Sequence, residues 1–125
     1  MAEIDLVHGE LTRQVIGAAM EAHSQLGPGF LESVYEAAMA IELGLRGLPY
    51  ERQKPIPVIY KGRPAKDFFC DFLVAEKVLV ELKALKAITD SERAQVLTYL
   101  KATGLKVGLL INLGERSLKH KRMVL

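Results

Sequence analysis

With 125 residues, 50% of them hydrophobic and 26% charged, the chain is large enough to bury a core and is no disordered polymer. Its formal net charge of +2 excludes a strong chain-wide electrostatic hold on nucleic acid. Any such binding must come from local clusters, a partner protein or a second subunit.

Leu11, Val15, Ala18, Ala19, Ala22 and Leu26 recur at helical spacing and predict a first helix from about Ile4 to Leu26. Gly27-Pro28-Gly29 breaks it. A second helix follows from about Leu31 to Leu45, with Leu31, Val34, Ala38, Ile41 and Leu45 as its expected buried stripe. Gly47-Leu48-Pro49 ends that helix, and the period then changes to two. Pro55 to Tyr60 reads as a strand whose prolines place it at an edge or an entry point. Lys61-Gly62-Arg63-Pro64 reads as a turn, followed by strands at Asp67–Val74 and Lys77–Lys83.

Thr89 to Thr103 returns to helix, with the capping-box spacing of Thr89 and Glu92 at its start and Gly104 at its end. Lys106 to Asn112 is an apolar run of the kind buried on both faces of a sheet. Leu118 to Leu125 is a candidate last strand. No linker or repeat interrupts the pattern, so one domain over residues 1–125 is expected. The order predicts an α/β fold. Three strands form an antiparallel meander, a parallel strand joins after a crossover helix, and helices flank the mixed sheet.

The hairpin is the most informative stretch. If Ala75, Glu76 and Lys77 form a three-residue loop, Asp71 lies opposite Glu81, with Cβ atoms roughly 5 Å apart. Two bare carboxylates at that distance call for a cation or a raised pKa. Mg²⁺ takes oxygen ligands at about 2.1 Å, often from one or two carboxylates. Lys83, one pleat beyond Glu81, is placed to hold a phosphate oxygen or polarise a water. A two-residue loop would instead put the acids on opposite faces. The same pattern also fits an exposed Glu–Lys pair on a solvated sheet.

Gln95 and Tyr99 share a helix face and can brace such a site, or be simply solvated and core respectively. Glu32 opens the second helix, where a carboxylate also favours the dipole; reaching the hairpin acids would make it a further ligand. His8 and His120 read as surface, and His23 as a satisfied, partly buried side chain. No Cys/His zinc spacing or phosphate-binding glycine loop occurs. The lone Cys70 reads as a buried thiol in a reducing compartment. No apolar run approaches the ~20 residues of a membrane span. The acidic start lacks the basic residues of a signal peptide, so a cytoplasmic location without membrane partners is expected.

Asp71, then Glu81-Leu82-Lys83, then Gln95-x-x-x-Tyr99 resembles the PD-(D/E)XK nuclease superfamily in its RecB-like branch. Gly29-x-x-Glu32-x-x-Tyr35 is similar to the motif that names the GxxExxY family. The resemblance runs from the first helix to Asn112. It departs at Cys70, where the superfamily name calls for proline, and at Glu92, where many relatives carry histidine. It implies a restriction-endonuclease-like α-β-β-β-α-β core. It implies Mg²⁺ or Mn²⁺ on Asp71, Glu81 and the Leu82 carbonyl, Glu32 as an added acid, and Lys83 acting on the attacking water. Gln95 and Tyr99 would match the branch's helix motif near the site.

The function expected is therefore metal-dependent phosphodiester hydrolysis, with nucleic acid, DNA first, as partner. The alternative is a non-catalytic module that keeps the fold to bind nucleic acid or protein. Lys54, Lys61, Arg63, Lys66, Lys101, Lys106, Arg116, Lys119, Lys121 and Arg122 are candidates for a local cationic track, or ordinary solvated charges. A homodimer would double such a track.

Overall fold

The computed structural model describes residues 6–125. Its elements are α1 (Gly9–Leu26), α2 (Glu32–Leu45), β1 (Tyr50–Tyr60), β2 (Arg63–Val74), β3 (Val78–Lys83), α3 (Asp90–Thr103), β4 (Val107–Asn112) and β5 (Lys119–Val124). Ile4, the expected start of the first helix, lies outside the described residues. The strands form one sheet in the order β1-β2-β3-β4-β5. β3 and β4 are parallel and every other neighbouring pair is antiparallel.

Helices cover both faces. α1 and α2 bury Val15, Ala18, Tyr35, Met39 and Leu43 against Phe72, Val80, Leu82, Leu109 and Ile111. α3 buries Val96, Tyr99 and Leu100 against Leu79, Leu110, Ile56 and Cys70 on the other face. β4 is buried along its whole length, as its unbroken apolar run requires. α3 starts on the expected capping box: Thr89 accepts from the Ser91 N–H and Glu92 accepts from the Thr89 N–H. Gly104 ends it at φ 75, in the left-handed region.

Three expectations are corrected. The buried side of α2 is Tyr35, Met39, Ala40 and Leu43, whereas Leu31, Ile41 and Leu45 are exposed. Apolar residues surround this helix, and period alone cannot choose between two apolar stripes. β1 begins at Tyr50, before its prolines, and is indeed an edge strand. The turn is only Lys61-Gly62, both at positive φ, with Tyr60 paired to Arg63. That is a two-residue hairpin loop, whose twist suits the strands. Pro64 lies within β2, opposite Ile59, at the step where the register shifts. A missing N–H is tolerated at such an irregularity.

The exit from β3 is clamped. Leu113 N–H donates to the Lys83 carbonyl at 2.8 Å. Buried Asn112 accepts from the N–H groups of Leu85 (2.9 Å) and Gly114 (3.1 Å) and donates to the Leu85 carbonyl (2.9 Å). Gly114 passes so close that an added Cβ would stand 2.5 Å from the Leu85 backbone nitrogen and oxygen. Gly114→Ala is therefore expected to destabilise the fold by about 1–3 kcal/mol, the range of overpacking substitutions. Urea unfolding checks it, and an unchanged midpoint would contradict the clamp.

Candidate functional site

The hairpin loop has the three residues on which the acid pairing depends. Val74 pairs with Val78, Leu73 with Leu79 and Phe72 with Val80. Ala75 and Glu76 take the bend with φ of 52° and 59°. One step further, Asp71 meets Glu81, and side chains replace the backbone ladder. Asp71 N–H donates to Glu81 Oε1 at 2.9 Å, and Leu82 N–H donates to Asp71 Oδ2 at 2.7 Å. Both acids are buried.

The sheet turns over at this point. Alternate residues of a strand share a face, yet Phe72 and Val74 pack under α1 and α2 while Cys70 packs under α3. β1 does the same. The Tyr50 ring meets Phe72 and Arg52 bonds Glu36 of α2, but Ile56 lies under α3. The reversal falls at Asp71 on β2 and at Gln53 on β1. Gln53 has φ 52°, a left-handed conformation that non-glycine residues seldom adopt and that concentrates at functional sites. Its amide donates to Asp71 Oδ1 at 3.0 Å and also to Glu36.

Sequence reasoning missed Gln53, Glu36 and Arg52. A positive φ at a glutamine leaves no mark in a strand pattern. Glu36, four residues after Glu32 on the same helix, was the readable clue. Glu32, Ser33, Glu36, Gln53 and Asp71 line a groove of about 200 Å³. Glu32 thus shares a groove with Asp71 and is exposed at its rim.

The motif around Glu32 is a loop scaffold. Gly29 takes φ 110°. The Tyr35 hydroxyl donates to the Gly27 carbonyl at 2.6 Å and accepts from the Phe30 N–H at 3.3 Å. The glycine turns the chain, the tyrosine holds the turn from the core, and Glu32 is presented at the helix start.

Lys83 Nζ stands 3.7 Å from Glu81 Oε2, with most of its side chain covered. Gln95 Nε2 donates to the Tyr99 hydroxyl at 2.7 Å. That pair belongs to the α3 layer, where the Tyr99 ring packs on Phe68 with centroids 5.4 Å apart. Glu92, the departure from the family pattern, is engaged in capping α3. His23 is satisfied by the Glu115 carbonyl at 2.8 Å, and burial pushes the Cys70 thiol up to about 12.

Burial drives the acid chemistry. Desolvation raises the Glu81 carboxyl to about 8, with Asp71 adding repulsion and the Asp71 N–H opposing it. Desolvation raises Asp71 to about 6 against its bonds from Leu82 and Gln53. Partial burial also raises Glu32, while Lys83 pulls it down. Among the described residues no three His, Cys, Asp or Glu side chains converge closely enough to hold a metal by themselves. The donors nevertheless suit a hard cation. They are buried carboxylate oxygens whose mutual repulsion a divalent ion would relieve, with the Leu82 N–H bonded to Asp71 Oδ2.

The cationic track divides. Lys54, Lys61, Arg63 and Lys66 lie on β1 and β2 or the turn between them, whereas Lys119, Lys121 and Arg122 lie on β5 at the opposite edge. Arg122 is engaged with Thr12 and the Val7 carbonyl. No described helix is long and apolar enough to cross a membrane.

The family model for the PD-(D/E)XK nuclease superfamily matches residues 9–123. The crystal structure of SSO0001 matches with a TM-score of 0.60 at 12% identity. That match covers 94% of this chain and 59% of the other, so this chain spans about three fifths of that one. At such identity the likeness concerns the fold. No curated protein matches the chain.

Both hairpin carboxyls sit above their unfolded values, so the folded state keeps protons that the unfolded state has released. Their stabilising contribution is complete below the unfolded carboxylate range and is lost as pH rises through about 6 for Asp71 and about 8 for Glu81. Without metal, the melting temperature is expected to fall between about pH 5 and pH 9. Glu81→Gln keeps an acceptor for the Asp71 N–H and should flatten the upper part of that fall. In Gln53→Ala, Asp71 loses a donor to its charged form, so its pKa should rise further; carboxyl NMR titration reads this directly.

Proposed function

The chain belongs to the PD-(D/E)XK nuclease superfamily, and from that premise we propose a metal-dependent nuclease of the RecB-like branch and the GxxExxY family. It would hydrolyse phosphodiester bonds of nucleic acid, DNA in the first instance. The observation that carries the reading is the buried Asp71–Glu81 pair, interlocked with two backbone N–H groups and placed beside Lys83.

Superfamily members typically use divalent metal ions. In this reading Asp71, Glu81 and the Leu82 carbonyl hold Mg²⁺ or Mn²⁺, and Glu32 contributes from across the groove, directly or through water. When bound, the ion supplies an activated water and offsets charge on the phosphate. The remaining work falls to the chain. Leu82 N–H and Gln53 fix the Asp71 carboxylate, one on each oxygen. The Lys83 ammonium steadies an attacking water or a phosphate oxygen for in-line displacement. Gln95 and Tyr99 support the Glu81 side of the site. Glu81 must shed its proton to act as a ligand, so metal binding should release protons and strengthen as pH rises toward about 8.

The non-catalytic alternative is a module that keeps the fold to bind nucleic acid or protein. Isothermal titration of Mn²⁺ into wild type and Glu81→Ala, with cleavage of single- and double-stranded DNA on the same samples, separates the two readings. Binding and cutting that both disappear in the variant are the expected result. Absence of metal binding in wild type would favour the module. Asp71→Ala and Lys83→Ala should each lower cleavage on the order of 10²-fold or more while circular dichroism stays that of wild type. Full cleavage by both variants would overturn the residue assignment.

A further inference from the structure

α2 is apolar on both sides. Tyr35, Met39 and Leu43 are buried in the core, yet Leu31, Val34, Ala38, Ile41 and Leu45 form a second seam that the core does not use. Their spacing of three, four, three and four residues is that of a seam between two helices. Ile41, Leu45 and Leu31 are 63%, 76% and 77% exposed. On the helical wheel Val34, Ala38, Ile41 and Leu45, with Ala37 and Gly44 beside them, fill an arc of about 120°. No charged residue falls within it. All three charges of α2, Glu32, Glu36 and Glu42, lie outside the arc, although the outward side of a surface helix is normally its charged side.

Gly44 adds to the pattern. Glycine weakens a helix relative to alanine, and a Cβ at Gly44 would meet nothing within 4 Å, so packing within the chain does not call for it. Beside Ile41 and Leu45 it leaves room for a second backbone. The composition of the face indicates what covers it. α2 has no lysine or arginine, which disfavours an anionic membrane or a phosphate backbone. A seam without charge can face itself with no like-charge repulsion, as a two-fold interface requires. Turned antiparallel, it also matches itself in size: Ala38 meets Ile41 of the other copy and Val34 meets Leu45, both about the same two-fold axis. The seam exposes on the order of 500 Å² of apolar surface, the size of the largest patch on a typical monomer. Two copies would bury about 1,000 Å², the area at which a specific interface begins.

We infer that the chain forms a two-fold homodimer in which α2 packs along α2 of a second copy through Val34, Ala38, Ile41 and Leu45. The inference goes beyond the proposed function and does not depend on it. Glu32 and Glu36 line the acidic groove from the opposite side of the helix, so a copy seated on the seam leaves both grooves open.

The test is analytical ultracentrifugation of the full chain from low micromolar to high micromolar concentration. Wild type should pass from the chain mass of 13.8 kDa toward twice that value as concentration rises, and its melting temperature should rise with it. Ile41→Glu and Leu45→Glu each put carboxylates into the apolar seam, and each should weaken association ~100-fold or more. Both side chains are exposed in the single chain, so circular dichroism and the melting temperature at dilution should stay those of wild type. A monomer at every concentration would overturn the inference, and so would a dimer that both variants leave intact. Flotation with vesicles of phosphatidylcholine alone, and with phosphatidylglycerol added, separates the other occupants. A monomer that floats as wild type but not as Ile41→Glu assigns the seam to a lipid surface. A monomer that floats with neither assigns it to a different protein, and in both cases the second copy is excluded.

Discussion

Two backbone N–H groups donate to two buried carboxylates where β2 and β3 part, and the remainder of the site is arranged around that exchange. Asp71 gives its N–H to Glu81, and Leu82 gives its N–H to Asp71. An orphaned N–H inside a sheet is costly, and so is a desolvated acid. Pairing one liability with the other lets the strands diverge without leaving either group unsatisfied. No buried side-chain polar atom among the described residues lacks a partner. The divergence is what opens space beside the acids, because a continuous ladder would have kept β2 and β3 in contact.

The turnover of the ribbon at Gln53 and Asp71 follows from where the helices stop. Up to that point β1 and β2 belong to the α1–α2 side, and beyond it their inward residues answer to α3. A two-stranded ribbon twists more readily than a wide sheet. The strained glutamine concentrates the reversal in one residue, and the hydrogen bonds of its side chain to Asp71 and Glu36 help to offset that strain. The same residue therefore sets the direction of the ribbon and the position of an acid.

Much of this was legible in the chain. The meeting of Asp71 and Glu81 was legible only on the condition of a three-residue loop at Ala75, Glu76 and Lys77, since period-two counting could not choose it over a two-residue loop; the capping box and Gly104 marked α3 because their chemistry is local. The prolines marked β1 as an edge strand because a missing N–H is a local fact too. The buried side of α2 was misread because Leu31, Ile41 and Leu45 are as apolar as Met39 and Leu43. Tertiary contact chose the stripe, and with it a Tyr35 whose hydroxyl bonds the Gly27 carbonyl. Gln53, Glu36 and Arg52 were missed for a related reason. Their roles arise from elements 16 or more residues apart meeting at a kink, and neither hydrophobic period nor turn composition records such a meeting.

Net charge was the least informative number and the distribution of charge the most. A total of +2 argues against a protein that clings to phosphates everywhere. Around Asp71, Glu32 and Glu36 add repulsion that helps to raise its carboxyl, while Arg52 bonds Glu36 and Lys83 stands beside Glu81, so opposite charges are interleaved at the site. The raised Glu81 carboxyl lowers the negative charge there further, because burial and the repulsion of Asp71 keep it protonated up to about pH 8.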